Sequence, residues 1–416
     1  PHNPHLEERA MRKIMIMGAG AQGSTIAKRM QEEPSVEKIV CADYDVRAAE
    51  ELEKSLSKAK AVRVDAREVA NIVAAAKGCD LIVNGLPPDF NMRVMDAALE
   101  AGASYLDMAS CADENDDWVN GVRIQLARDA AFKKAGLTAL INCGSAPGIA
   151  NVITREACEQ LDSVETIDIN VYEGVWTTRF IPFWWSPETA FQDMADEPVV
   201  YENGKFKIVP PFNRPEWLDF RGLGKRLMCD HHHEETATMG LLADQYLKGA
   251  KNIYFRYGGP GCDLAKRFWE MGLLSSEPVE VDGVEVVPMR LISKLTPPAP
   301  KYKKEIKEVI DAGIEVEEGA FLVRVDGLKN GEKVRIDSYV NVPGLRESFK
   351  RAGISHEAYL TGQCAWLFTK MLIKGEVSQK GVFPPEVLDA KPRAYFLDEA
   401  AKLDITVDQY IERRLA

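Results

Sequence analysis

The residues whose types and spacing could do chemistry begin at Gly18. The run Gly18-Ala19-Gly20-Ala21-Gln22-Gly23 sets three glycines in a GxGxxG spacing. Before it, Ile14 to Met17 is a short apolar run, fit for a strand buried on both faces. After it, Ser24 to Met30 carries helical spacing. In such a strand–turn–helix unit Gly18 permits the sharp turn and Gly20 lets backbone approach a pyrophosphate. Gly23 lets helix and strand close together. A helix starting near Ala21 adds its N-terminal N–H groups and dipole to the same anion. Asp43 ends the next apolar run, about 20 residues past the last glycine, where a ribose-binding carboxylate belongs. The expectation is a dinucleotide site on Gly18, Gly20, Ala21, Gln22, Gly23 and Asp43. A carboxylate at Asp43 would accept from both ribose hydroxyls and repel a 2′-phosphate, which favours NAD. Arg47 could meet that phosphate and keeps NADP open. Asp65, at the end of a later strand, either touches adenine or caps a helix.

Proton-transfer candidates lie far downstream. Asp230 to Glu235 reads DHHHEE. Adjacent histidines cannot all point one way, and no HxH or HExxH spacing with a distant third ligand is evident, so no metal is expected. His232 or His233, with Glu235, suits proton transfer near neutral pH. Phe180 to Trp185 reads FIPFWW. Either it plugs a domain interface, or Trp184 and Trp185 wall a substrate pocket suited to a cationic amine. Arg179 and Arg256 are candidate carboxylate clamps. Glu173 could face substrate from the first strand of a second domain. Cys143 and Pro147 sit in a turn that would border the substrate. Cys143 lacks a base partner in the pattern and reads as a small packing residue there rather than a nucleophile. The acidic loop at Asp113, Glu114, Asp116 and Asp117 reads as a helix start or as an attractor of amino groups.

These residues need elements to position them. Apolar runs at 14–17, 39–43, 60–64, 79–83, 103–108 and 137–142 alternate with helical patterns. That alternation implies a doubly wound parallel sheet, whose ligands sit beyond the carboxyl ends of its strands. One rim would then carry the glycine turn, Asp43, Asp65, Asn84-Gly85-Leu86-Pro87, Asp107 and Cys143 to Pro147. Asn84 to Pro87 would run beside the nicotinamide ribose. Near Ala150 the pattern changes to period-two strands and proline-rich loops, with a hairpin turn at Gly327 to Gly331. Helical patterns return at His356 to Leu372 and at Lys402 to Leu415. The reading is 1–150 for dinucleotide binding, 151–347 for substrate and dimerisation, and 348–416 for C-terminal helices returning to the first domain.

Composition bounds the rest. The 416 residues carry a net charge of −12, which argues against nucleic-acid or anionic-membrane partners. No apolar run approaches the roughly 20 residues of a membrane span. Pro1 to Ala10 has no apolar core of a signal peptide. Eight scattered cysteines without a CxxC suggest free thiols in a reducing cytoplasm.

Several stretches together resemble the saccharopine dehydrogenase family. They are GAGAQG, Asp43, CDLIVNGLPPDFNMRVMDAALEAGASYLDMAS (79–110), NCGSAPGIAN (142–151), GVFPPEVLD (381–389) and AAKLDI (400–405). The resemblance is good over 12–155, fair over 355–410 and poor between. It implies a Rossmann domain completed by C-terminal helices, an inserted α+β domain, and commonly a homodimer formed through that domain's sheet. It also implies that Asp107 and the Gly144–Gly148 turn flank the cofactor and open the substrate cleft, with Asp107 a candidate for both cofactor and catalytic roles. This chain has Ala146 where saccharopine reductases carry an acid, which departs from a saccharopine substrate. The expectation is an NAD(P)-dependent dehydrogenase or reductase acting on the C–N bond of an amino acid, amine or imine-linked, opine-like substrate. The alternative is a transferase or lyase that retains its NAD without net redox change.

Overall fold

A computed structural model describes residues 12–413; the leader reading at Pro1 to Ala10 lies outside them. The chain divides into two units. One comprises residues up to Val152 together with Leu360–Leu403, the other Ile153–Tyr359 together with residues from Asp404 on.

In the first unit the apolar runs pair as expected. Strands β1 (Lys13–Met17), β2 (Lys38–Asp43), β3 (Ala59–Arg63), β4 (Leu81–Asn84), β5 (Ser104–Asp107) and β6 (Thr138–Leu140) are joined by a late strand, Gly381–Phe383. All pair parallel, in the order Gly381–Phe383, β6, β5, β4, β1, β2, β3. The order reverses at β1, the switch point where such sheets bind ligands. Helix α1 (Ala21–Glu32) follows β1 and buries Gly23, Ile26, Ala27 and Met30. Between β5 and β6 the chain forms two helices, Trp118–Leu126 and Asp129–Ala135. Asp117 caps the first by accepting from the Asn120 N–H, so this part of the acidic loop is a helix start.

The second unit is built on a mixed sheet. Its centre is β7 (Ser163–Thr177), which pairs parallel with Asn252–Gly258 and antiparallel with Ile314–Lys329. Ile314–Lys329 turns at Asn330-Gly331 into Glu332–Asn341. On the far side of Asn252–Gly258 lie Gly224–Asp230 and then Glu216–Phe220. The fold class is thus the one expected, a doubly wound parallel sheet plus an α+β unit. The C-terminal reading needs correction. Residues 348–359 belong to the second unit, and Thr406–Arg413 is an edge strand paired with Glu332–Asn341, not a helix. Its mixed charged and apolar residues suit a solvated helix as well as an edge strand. An open edge in the sheet decides between them.

Candidate active site

The glycine turn of the first unit is shaped for a phosphate. Gly18 has φ +92°, in the left-handed region. A Cβ on Gly23 would stand 1.9 Å from the Gly18 carbonyl oxygen, whereas one on Gly20 would meet nothing within 4 Å. Gly20 is exposed and Ala21 opens α1. The open ground at Gly20 beside a helix N-terminus is what a bound pyrophosphate requires, so the residues fit the dinucleotide. Asp43 accepts from the N–H of Ala19 at 2.7 Å and of Asp45 at 2.9 Å, which fixes its carboxylate against the turn. Gln22 lies half-buried in the first turn of α1. Asp65 is held by the side chain and N–H of Arg67, which keep its carboxyl down at about 2. It braces its own turn and does not reach for adenine.

Beyond β4 and β5 the rim is a buried polar network. Asn84 Nδ2 donates to Asn91 Oδ1 (2.9 Å) and to the Tyr105 hydroxyl (3.1 Å). Tyr105 donates to Asp107 Oδ2 (3.0 Å), which also accepts from Gln125 Nε2 (2.8 Å). Asp107 Oδ1 accepts the Asn142 N–H at 2.7 Å. Burial pushes the Asp107 carboxyl up to about 7, against the pull of these three donors. Asn84 and Asp107 are each 1% exposed. Their side chains hold the 84–91 and 142–148 loops in place, and Gly85, Leu86 and Pro87 remain at the rim. Cys143 and Pro147 are buried too, and burial lifts the Cys143 thiol far above its ordinary range. The sequence reading missed Tyr105, Gln125 and Asn142, which carry no motif.

Asp107→Ala would strand three buried donors and is expected to cost about 1–3 kcal/mol for each one left without a partner. Urea unfolding at pH 7 measures it. The sign with pH follows from the raised native pKa. The native state holds its proton more tightly than the unfolded chain, so Asp107's contribution is full below about pH 4 and is lost as pH rises through about 7.

The second unit gathers acids and aromatic rings around two histidines. His233 Nδ1 forms a short hydrogen bond to Glu235 Oε2 and lies 3.4 Å from Glu234 Oε2. Its ring stacks on Phe255 at 4.1 Å, with the planes 13° apart. His231 lies between, 6.2 Å from His233 and 5.3 Å from Tyr257 by ring centroids. The Tyr257 hydroxyl donates to Glu173 Oε2 at 2.9 Å, and Glu173 Oε1 sits 2.7 Å from His356 Nε2. Trp184 meets His356 edge to face at 5.2 Å, and Trp185 meets Tyr257 at 6.1 Å. Glu173, His233, Glu235, Trp184 and Trp185 from the sequence reading are therefore in one constellation. Asp193, Tyr257, His356 and Glu357 join it without having been foreseen.

Burial is the largest influence on these groups. It pushes Glu234 and Glu357 up to about 7 and Asp193 up to about 6. Burial alone would lower His233, but Glu235, Glu234 and Asp193 overrule it and hold the imidazolium to about 9. His232 is buried, and burial with the neighbouring His233 pushes it down to about 3, so its ring is uncharged at neutral pH. Arg179 is exposed and pairs with Glu308. Arg256 is spent on Glu216 and Asp168 within its own sheet. Neither arginine is a free carboxylate clamp. His233, Glu234 and Glu235 bring one possible metal-ligand atom each within 4.8 Å, but His233 Nδ1 and Glu235 already bond each other.

A cradle of this kind at the switch point of a parallel sheet defines a dinucleotide-binding protein. The comparisons with known proteins narrow the class. The model of the saccharopine dehydrogenase NADP binding domain matches residues 14–140, and that of the saccharopine dehydrogenase C-terminal domain matches residues 144–403. The chain belongs to the saccharopine dehydrogenase family and is an NAD(P)-dependent oxidoreductase acting on a C–N bond. It is 28% identical to a carboxynorspermidine synthase of Vibrio alginolyticus, covering 91% of this chain and 93% of that one. It is 25% identical to a carboxyaminopropylagmatine dehydrogenase of Synechocystis sp., over 92% and 94%. The solved saccharopine dehydrogenase (L-Glu forming) of Saccharomyces cerevisiae shares the fold, with a TM-score of 0.69 at 12% identity, over 96% of this chain and 100% of that one. No helix among the described residues is long and apolar enough to cross a membrane.

Proposed function

We propose that the protein reduces an imine, formed between an amine and a carbonyl compound, to a secondary amine. The observation that carries this reading is the His233–Glu235 pair set among Asp193, Glu234, Glu173 and Glu357. Among the described residues no lysine or arginine forms an ion pair with any of these acids. A cationic amine supplies the missing charge. Bound NAD(P)H supplies the hydride. Glu235 orients His233 through Nδ1, Phe255 holds the ring flat, and Nε2 faces no protein partner among the described residues. That nitrogen is free to pass a proton to the substrate nitrogen. An imidazolium that keeps its proton to about pH 9 is a donor at neutral pH, which favours the reducing direction. The curated relatives, named for carboxynorspermidine and carboxyaminopropylagmatine, support an amine-rich substrate.

Loss of reduced-nicotinamide absorbance with amine–carbonyl pairs tests the proposal. Stoichiometric consumption is expected; conversion without consumption would favour the NAD-retaining alternative. A homodimer in the cytoplasm completes the reading, and a native mass of twice the chain mass tests the first part.

The fixed Asp43 carboxylate supports NAD. Tyr44, with the Arg63 guanidinium 5.1 Å from its ring, offers the other anchor, for a 2′-phosphate. Wild-type protein is expected to bind NAD at least tenfold tighter than NADP by isothermal titration. Asp43→Ala should narrow that ratio. A wild-type preference for NADP would assign the site to Arg63.

A further inference from the structure

Three consecutive residues of the late helix His356–Lys374 belong to the first unit and pack beside the cofactor turn: Thr361, Gly362 and Gln363. The Thr361 hydroxyl bonds the Ser145 hydroxyl at 3.0 Å, in the turn that follows β6. Gln363 Oε1 accepts from Arg29 Nε of α1 at 2.9 Å. Between them Gly362 meets the first turn of α1. A Cβ there would stand 2.8 Å from Gln22 Oε1 and 2.9 Å from Thr25 Cγ2. A side chain at 362 would turn the Gln22 amide away or lift the helix off α1. The amide oxygen kept in this position is buried and has no hydrogen-bond partner among the described residues. A buried carbonyl oxygen without a donor is costly and points to an O–H or N–H of a ligand. Its place in the sheet says which part of the dinucleotide is near. Asp43 ends β2, on one side of β1, and β4, β5 and β6 lie on the other. The Thr361–Ser145 bond ties this stretch of helix to the β6 side. With adenosine at Asp43, a dinucleotide crossing the switch point has its nicotinamide half on that side.

We infer that the Gln22 side chain, held in place by Gly362, accepts a hydrogen bond from the nicotinamide nucleoside half of the cofactor and so orients the half that reacts. This role rests on the dinucleotide site described above and adds to it. The glycine fingerprint takes the pyrophosphate through backbone N–H groups and asks nothing of the side chain at position 22. Gln22 is the contact and Gly362 a positioning residue that acts through it. The donor is a ribose hydroxyl or the carboxamide N–H of the same nucleoside.

Isothermal titration of the full chain with NAD, ADP-ribose and ADP tests it, with NADP and 2′,5′-ADP in place of NAD and ADP should wild type prefer NADP. Gln22→Met keeps the length of the side chain and removes the acceptor. It is expected to weaken NAD roughly tenfold, the worth of one lost hydrogen bond, and to leave ADP within about twofold of wild type. Gly362→Ala should show the same selective loss, because its methyl displaces the amide. ADP-ribose shares the loss if the donor is the ribose hydroxyl and escapes it if the donor is the carboxamide. A merely structural role for Gln22 would distort the start of α1 and weaken ADP as much as NAD, which overturns the inference. NAD binding unchanged by Gln22→Met overturns it as well. If Gly362→Ala does not fold, Gln22→Met alone decides. A wild type that binds neither NAD nor ADP removes the cofactor cradle as a whole. One that binds both, with no selective loss in Gln22→Met, removes only the side-chain contact.

Discussion

His233→Ala is expected to lower turnover in imine reduction by about 100- to 10,000-fold, the range of a lost general acid. The wild-type rate should hold level from pH 6 to 8 and fall as pH rises through about 9, because the donor is the protonated ring. Glu235→Gln removes the strongest of the charges that raise the ring. Its falling limb should move to lower pH, and its rate at neutral pH should drop less than that of His233→Ala. A purely structural role for the pair would lower stability and amplitude without moving the limb. His233→Ala also leaves Glu235 buried without its hydrogen-bond partner, which is expected to cost about 1–3 kcal/mol in unfolding free energy. The kinetic comparison therefore belongs well below each variant's thermal midpoint. A His233→Ala enzyme within threefold of wild type would remove the histidine from the chemistry.

The second large effect separates two glycines three residues apart. Gly20→Val puts a side chain where the structure leaves nothing within 4 Å, at φ −67° and ψ −165°, a conformation open to any residue. Stability should change by no more than about 1 kcal/mol, the cost of a poor helix N-cap. Cofactor affinity should fall at least about 100-fold, near 2.7 kcal/mol, because the branched side chain fills the phosphate's ground. Gly23→Ala does the reverse. Its methyl would stand 1.9 Å from the Gly18 carbonyl oxygen and 3.1 Å from Ile16 Cγ2, so α1 must move off β1. About 1–3 kcal/mol or more of stability should go with it, and affinity falls only as the turn distorts. Calorimetry and NAD(P)H fluorescence titration on both variants give the contrast. Normal cofactor binding by Gly20→Val would mean that the pyrophosphate lies elsewhere.

The cofactor half of the molecule is legible in consecutive residues. The strand, turn, helix and acid from Ile14 to Asp43 occupy one continuous stretch, and each carries a local periodicity or a backbone requirement. The rim loops were placed correctly because they follow strand ends. Their side chains were not. Asn84 and Asp107 face inward because Tyr105 and Gln125 come from a neighbouring strand and a following helix to meet them, and no spacing announces that meeting. The histidine cluster of the second unit is harder still. Among three consecutive histidines only one lies flat on Phe255 and bonds Glu235, and the register of Asn252–Gly258 settles which. Glu173 and His356 stand 183 residues apart in the chain. Asp193, Tyr257 and Glu357 carry no pattern that a sequence could display.

By itself, then, the sequence determined the parallel sheet, the glycine cradle, the acid that ends β2 and the family resemblance, because hydrophobic period and glycine conformation act over a few residues. Tertiary structure alone decided that Arg256 is spent on its own sheet, that His233 rather than His232 meets Glu235, and that Thr406–Arg413 is a strand. Each of those outcomes depends on which distant side chain or strand edge is brought within about 3 Å, and on the burial that then sets its charge.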